Sequence, residues 1–453
     1  MSDTIAAIST GTQVSGIGIV RMSGDKSIEI CDKLFSPISG KQMSAYKDRQ
    51  LVYGELKDVD GKVMDICMCT ISHGPHSYTG EDTAEFQCHG SPAVLRQTLE
   101  AIFKNGARQA GPGEFTKRAF INGRMGLTQA EAVIDVIDAE SIEIAKNAVG
   151  QLGGAIQNKA DQIYNSLTEM CAHYHAVLDY PDEDIEDFEM DNYKEIIDDA
   201  IMQLDRLLVT FSRGKLMNEG IPTAIAGRPN AGKSSLLNAI LGYERAIVTN
   251  IPGTTRDTIE EKAKIGKLTL RLIDTAGVNS STDDVVERLG VERSLEAINR
   301  AELVLVVVDG SEQVTGEDLS IIEKASENSK CIVVFSKSDK ENFSIKEING
   351  VNSVGISSKT GEGIEKLENT IEKLFPIPDV PTGEILTNAR QADSISRTLD
   401  SMRSARNAME IGFTPDAILT EVEDSMKIIG ELTGRNVGED ITTRIFSRFC
   451  VGK

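Results

Sequence analysis

The stretch Gly227-Arg228-Pro229-Asn230-Ala231-Gly232-Lys233-Ser234 fits the phosphate-loop pattern GxxxxGK[ST]. An apolar run, Thr223-Ala224-Ile225-Ala226, precedes it, and Ser235-Leu236-Leu237-Asn238-Ala239-Ile240 reads as a helix after it. The motif requires this strand–loop–helix context. Its glycines let backbone N–H groups wrap a β-phosphate at a helix N-terminus. Lys233 suits β- and γ-phosphate oxygens, and Ser234 suits Mg2+. Asn230, Ala231, Gly232, Lys233, Ser234 and Ser235 are therefore candidate nucleotide contacts.

Further along, Leu272-Ile273-Asp274-Thr275-Ala276-Gly277 reads as a strand ending in DTAG. Asp274 can hold Mg2+ through water, and the amide of Gly277, after Thr275 and Ala276, can meet a γ-phosphate. Ser336-Lys337-Ser338-Asp339 closes the strand Cys331-Ile332-Val333-Val334-Phe335. An Asp at that place accepts from guanine N1–H and N2–H2, which adenine does not offer. Ser357-Ser358-Lys359 follows the next strand. In order and spacing these stretches resemble the G1, G3, G4 and G5 elements of the translation-factor-like GTPases. One position departs: the usual base motif is NKxD, and Ser336 stands in place of Asn, which bears on affinity and loop rigidity. Hydrolysis needs an oriented water, and Val278, just after DTAG, cannot orient one. The carboxylates in Asp283-Asp284-Val285-Val286-Glu287-Arg288-Leu289-Gly290 are the nearby candidates.

Around this module the chain changes character. Residues 1–118 alternate short β-type runs with helices near 25–35 and 91–105, an α+β pattern. From about Leu127 to 215 the apolar spacing is helical, after about 220 strands and helices alternate to 376, and beyond Pro381 the chain is helical again. An α/β module set into a split helical domain follows. The 453 residues carry 48 Lys+Arg and 70 Asp+Glu, a net charge of −22, which argues against a lone nucleic-acid binder. The stretch from Asp179 to Asp199 holds 11 acids and one Lys and reads as a solvated face, with a docking strip for a basic partner as the sharper alternative. There is no transmembrane run, signal peptide or transit peptide, so a cytoplasmic location is expected.

Seven cysteines form no disulfide framework. In the strand-like Asp65-Ile66-Cys67-Met68-Cys69-Thr70-Ile71, Cys67 and Cys69 share a face, yet no second pair or His stands beside them. Core thiols are therefore expected there rather than metal ligands. His173 and His175, near Cys171, do not share a helix face.

The flanks carry a more specific resemblance. Gly16-Ile17-Gly18-Ile19-Val20-Arg21-Met22-Ser23-Gly24, Ser77-Tyr78-Thr79-Gly80-Glu81-Asp82, His89-Gly90 and Gly111-Pro112-Gly113-Glu114-Phe115-Thr116-Lys117-Arg118-Ala119-Phe120 lie in the first region. Gln129-Ala130-Glu131-Ala132 and the terminal Arg444-Ile445-Phe446-Ser447-Arg448-Phe449-Cys450-Val451-Gly452-Lys453 follow. Over nearly its full length the chain resembles the MnmE (TrmE) family of tRNA-modification GTPases. The resemblance implies a multidomain α+β and α/β fold. It has an N-terminal α+β folate-binding and dimerisation domain (1–118), a split helical domain (119–217 and 378–453) and an inserted Ras-like P-loop GTPase domain (218–377).

It also implies a chemistry. In the family a K+ ion does the work of an arginine finger, held here by Asn230 and by Thr249, Ile251 and Thr254 of the loop Thr249-Asn250-Ile251-Pro252-Gly253-Thr254-Thr255. Thr255 joins Ser234 on Mg2+, and Glu287 matches the catalytic glutamate. Nucleotide contacts then include Asn250, Pro252 and Gly253, together with Lys337, Asp339, Ser357, Ser358 and Lys359. Arg21, Glu85, Arg124 and Lys453 match the site for 5-formyl-tetrahydrofolate or a related one-carbon folate. A homodimer that forms a heterotetramer with an FAD-dependent MnmG-type subunit is implied. It would add a (carboxymethyl)aminomethyl-type group at C5 of the wobble uridine, meeting tRNA through the complex. Cys450 is expected as a buried thiol among Phe446 and Phe449, with nucleophilic catalysis as the sharper alternative. A GTP-regulated assembly factor would have no need of the first domain or the FCVGK terminus, and a phosphate-loop kinase is disfavoured by DTAG and SKSD.

Overall fold

Alternating burial along the N-terminal strands builds a seven-stranded sheet with one face on a core. In a computed structural model its strands are β1 (Ile5–Ile8), β2 (Ser15–Ser23), β3 (Phe35–Pro37), β4 (Val52–Lys57), β5 (Val63–Ser72), β6 (Thr83–Gly90) and β7 (Arg108–Gln109). Residues 3–11, 13–179, 190–243, 261–273, 296–348, 350–376, 380–435, 442 and 445–452 are described. They divide into two compact units, one made of 1–137, 151–201 and 397–453, the other of 138–150 and 202–396.

In the first unit the strand order is β3-β4-β5-β6-β2-β1-β7, antiparallel apart from the β1–β7 pair. Along β6, Ala84, Phe86 and Cys88 are buried while Glu85, Gln87 and His89 alternate with them towards the other face. Helices α1 (Ser27–Leu34) and α2 (Pro92–Lys104) cover the buried face, contributing Ile30, Cys31, Leu34, Leu95 and Ile102 to its core. α3 (Glu114–Ile121) starts at Gly113, whose left-handed φ of 62° and close approach to Phe449 leave no room for a side chain. The helical stretch expected from Leu127 onward is α4 (Leu127–Ile137), α5 (Ile142–Leu152), α6 (Ala155–Asp179) and α7 (Met190–Glu219). Phe446 and Phe449 of the C-terminal segment pack with Ala130 of α4 in a small core of their own. Val451 bridges to Pro112, and Gly452 has a φ of 102° beside the Ile8 carbonyl, so the terminus is laid along the first sheet's end.

The second unit holds the α/β sheet, ordered β13-β12-β11-β8-β10-β9. Its strands are β8 (Ile221–Ala226), β9 (Glu261–Ile265), β10 (Leu268–Leu272), β11 (Leu303–Asp309), β12 (Lys330–Ser336) and β13 (Asn352–Gly355). All neighbours are parallel except β9–β10. β11 is buried at every position, as a central parallel strand covered on both faces must be. Helices α8 (Lys233–Tyr243), α9 (Gly316–Asn328) and α10 (Ile364–Leu374) supply the covering layers. The order reverses at β8, with β10 on one side and β11 on the other, and ligands of such sheets bind at the carboxyl ends there. The chain ends through α11 (Ala389–Glu410) and α12 (Pro415–Thr433).

Candidate functional site

The phosphate loop leaves β8 at that switch point. Gly227 takes φ 140°, and a Cβ there would stand 2.3 Å from the Val307 carbonyl oxygen, so only glycine lets the loop pass β11. Asn230 and Gly232 also have positive φ, at 61° and 108°, and α8 begins at Lys233. The Lys233 ammonium donates to the loop's own carbonyls, Gly227 O at 2.7 Å and Arg228 O at 2.8 Å, and burial holds its pKa below the usual lysine value. It thus lies across the cradle that the loop forms. Asn230 and Ser235 are exposed, Ser234 is half-buried and Ala231 is buried.

The loop is braced from two sides. Arg228 donates through Nε to Asp318 at 2.7 Å, and Asp318 with Thr315 forms the capping box of α9. Burial would raise the Asp318 pKa, but the bonds from Arg228 and Thr315 outweigh it and hold the carboxyl ionised. On the other side, the buried Ser336 hydroxyl donates to Ala231 O at 2.6 Å. Lys337 follows with φ 64°; its ammonium donates to Asn230 O at 3.3 Å and pairs with Asp309 at the end of β11. Burial pushes Asp309 up, yet Lys337 and Ser311 together bring it down to about 2. Two consecutive residues at the carboxyl end of β12 therefore grip two consecutive carbonyls of the phosphate loop.

Asp339 is exposed and accepts from the Ser357 hydroxyl at 2.8 Å, a bond that keeps its carboxyl below the usual range. Ser357 is buried and also accepts from the Lys359 and Thr360 amides, which joins the SKSD turn to the Ser357-Ser358-Lys359 turn. The Ser338 amide donates to Ile356 O and locks the same junction. Asn230 through Ser235, Lys337, Asp339 and Ser357 through Lys359 are thus brought to one end of one sheet. Thr249 through Thr255, Asp274 through Gly277, Glu287 and Lys453 lie outside the described residues.

In the first unit, Arg21 of β2 and Glu85 of β6 stand directly opposite each other and pair at 2.6 Å. The Arg21 guanidinium lies 5.6 Å from the Tyr78 ring centre and 5.7 Å from that of Phe115. Arg124 is exposed and reaches the Tyr78–Gly80 turn, with its Cγ close to where a Cβ on Gly80 would be. Beside them Arg118 joins Glu81, Glu114 and Asp3. Burial pushes Glu114 up, but bonds from Arg108, the Gly111 amide and Arg118 bring it down to about 2. Cys450 corrects an expectation: its thiol is exposed, while Phe446 and Phe449 turn into their own core without it.

Two family models match this chain. "GTP-binding protein TrmE N-terminus" covers residues 4–124, and "MnmE helical domain" covers residues 127–450. A tRNA modification GTPase MnmE of Clostridioides difficile is 40% identical over 460 residues, 100% of each chain. That of Alkaliphilus oremlandii is 40% identical over 461 residues, again 100% of each. The chain belongs to the MnmE family of tRNA modification GTPases. For this family a GTP-binding phosphate loop is the expected engine, and the residues present fit one. The glycine-lined cradle, the lysine across it and the Asp339 carboxylate suit the phosphates and base of a guanine nucleotide. No helix among the described residues is long and apolar enough to cross a membrane.

Sequence reasoning missed the roles of Arg228, at a variable position of the loop motif, and of Asp309 and Asp318, which lie outside every motif, yet the three set the loop's position. Asp309 had one visible signal, an acid closing the fully apolar run Leu303–Val308. The Arg228–Asp318 pair spans 90 residues and had none.

Proposed function

We propose that this chain is the K+-dependent GTPase subunit of a tRNA-modifying complex. With a flavin-dependent partner of the MnmG type it adds a (carboxymethyl)aminomethyl-type group at C5 of the wobble uridine of certain tRNAs. The observation that supports it most is the junction at the sheet's carboxyl end, where Ser336 and Lys337 hold Ala231 and Asn230 of the phosphate loop. That junction joins guanine recognition by Asp339 to the loop that takes the phosphates. Mg2+ would be held by Ser234 and Thr255, and K+ by Asn230, Thr249, Ile251 and Thr254. The K+ ion would supply positive charge beside the phosphates, as an arginine finger does. Lys233 would bind and orient the phosphates, the Gly277 amide would meet the γ-phosphate with Thr275 as a further nucleotide contact, and Glu287 would orient water.

The first domain, 1–118, would take a one-carbon folate such as 5-formyl-tetrahydrofolate through Arg21 and Glu85, with Arg124 and Lys453 reaching the same site from the flanking segments, and it would dimerise. A guanidinium suits the folate carboxylates, and a carboxylate suits donors on the pterin ring. The helical domain, 119–217 and 378–453, carries the GTPase domain, 218–377. The complex acts in the cytoplasm. With a net charge of −22, this chain would leave much of the tRNA grip to its partner.

GTP turnover of the purified full chain in K+ and in Na+ at equal ionic strength tests the ion's role. A strong rise in K+ is expected, and equal rates would remove K+ from the mechanism. Glu287→Ala is expected to abolish turnover while GTP still binds; normal turnover would remove Glu287.

A further inference from the structure

Cys67 and Cys69 share a face of β5, and the sequence around them offers no second thiol pair or histidine. The fold supplies a further thiol from another strand. The antiparallel register sets Met68 opposite Gln87, which brings Cys67 opposite Cys88 of β6. Both thiols are buried, with 4% and 1% exposure, and they lie side by side across the two strands. Asp65 stands two residues before Cys67 on the same face. One of its carboxylate oxygens and the two sulfurs all lie within 4.8 Å of one another. We propose that Asp65, Cys67 and Cys88 form a zinc-binding site in the N-terminal sheet.

The donor set selects the ion. Two thiolates with one carboxylate suit tetrahedral Zn2+, whereas Mg2+ takes oxygen ligands in an octahedron. Three protein ligands leave the fourth position to solvent, and Asp65 stands at the rim of the core, its side chain 9% exposed. His89 fixes the carboxylate: its backbone N–H donates to Oδ2 at 2.8 Å and its Nδ1 meets Oδ1 at 2.8 Å. Such a histidine–carboxylate pair orients a ligand from outside it. Binding moves one proton from each thiol to the buffer, about two per ion. The other close pair, Cys31 and Cys69 at 3.3 Å, has no third ligand group at that spacing among the described residues.

The test uses the reduced full-length chain, loaded with Zn2+, desalted and analysed for metal. About one zinc per chain is expected, none in Cys67→Ser or Cys88→Ser, and undiminished zinc in Cys31→Ser. His89→Ala is expected to weaken binding about 10–100-fold. Two readouts on the unaltered chain need no variant. Co2+ should give a thiolate-to-cobalt charge-transfer band, and Zn2+ should protect Cys67 and Cys88 from alkylation, mapped by mass spectrometry. Failure of the unaltered chain to retain zinc would overturn the site. So would zinc retained equally by Cys67→Ser and Cys88→Ser, or alkylation of both thiols at the same rate with and without zinc.

Discussion

In the six-stranded sheet the groups of the candidate nucleotide site come from contiguous loops at the carboxyl ends of parallel strands, and backbone atoms make up much of it. In the seven-stranded sheet the reactive groups come from strands far apart in sequence, matched across an antiparallel register. Arg21 meets Glu85, and Cys67 meets Cys88. The first arrangement depends on a few residues that let a loop turn tightly, such as Gly227. The second depends on register, because a slip of one residue would turn every facing pair to the other side. Loop chemistry is thus local in sequence and register chemistry is not.

The largest effect is expected where one loop residue carries most of the charge. Lys233→Ala should lower kcat/KM for GTP by about 10²–10³-fold, the cost of removing one preorganised donor to a developing anion. Steady-state turnover measures this, and a loss below tenfold would mean the loop backbone suffices alone. Next, Ser336→Ala should leave the buried Ala231 carbonyl short of a donor. At about 1–3 kcal/mol for such a loss, KM for GTP rises about 5–150-fold, while Ser336→Thr keeps the bond and most of the affinity. An unchanged KM in the alanine variant would show that Lys337 alone holds the junction.

The register side predicts smaller changes. Arg21→Ala removes one partner of a half-buried pair and two ring contacts, about 1 kcal/mol of stability in the first unit. Its urea unfolding midpoint should fall without any change in GTP turnover; a loss of turnover would tie the two sheets together. The smallest effect is one of pH. Glu114 is held at about 2 against an ordinary 4.5. Its contribution is therefore present above about pH 4.5 and lost as pH falls toward 2, because the unfolded chain takes the proton first. Unfolding midpoints at about pH 5 and about pH 3 should drop more for the unaltered chain than for Glu114→Gln; equal drops would remove the Glu114 network from acid stability.

The same contrast explains what the sequence made legible. GRPNAGKS, SKSD and SSK could be read because each is contiguous and sits where an apolar run ends. The parallel sheet followed from strands such as Leu303–Asp309 with no polar interruption before the last residue. The replacement of Asn by Ser336 raised the matter of loop rigidity, and the Ser336 hydroxyl does reach Ala231 O of the phosphate loop. The partner of Arg228 was not legible, because a pair 90 residues apart leaves no periodic trace. For the same reason Cys67 and Cys69 read as core thiols, since the strand bearing Cys88 and His89 is placed beside them only by folding. Cys450 misled in the other direction. Flanking phenylalanines suggested burial, yet they fold into a separate core and leave the thiol outside.

The central claim is that the GTP site of this chain serves wobble-uridine modification, and nucleoside analysis of tRNA tests it most directly. Cells lacking the gene should lose the C5 modification, regain it with the unaltered chain, and fail to regain it with Lys233→Ala. Wobble uridines modified as usual in the deletion strain would contradict the account, whatever the rate at which the purified chain hydrolyses GTP.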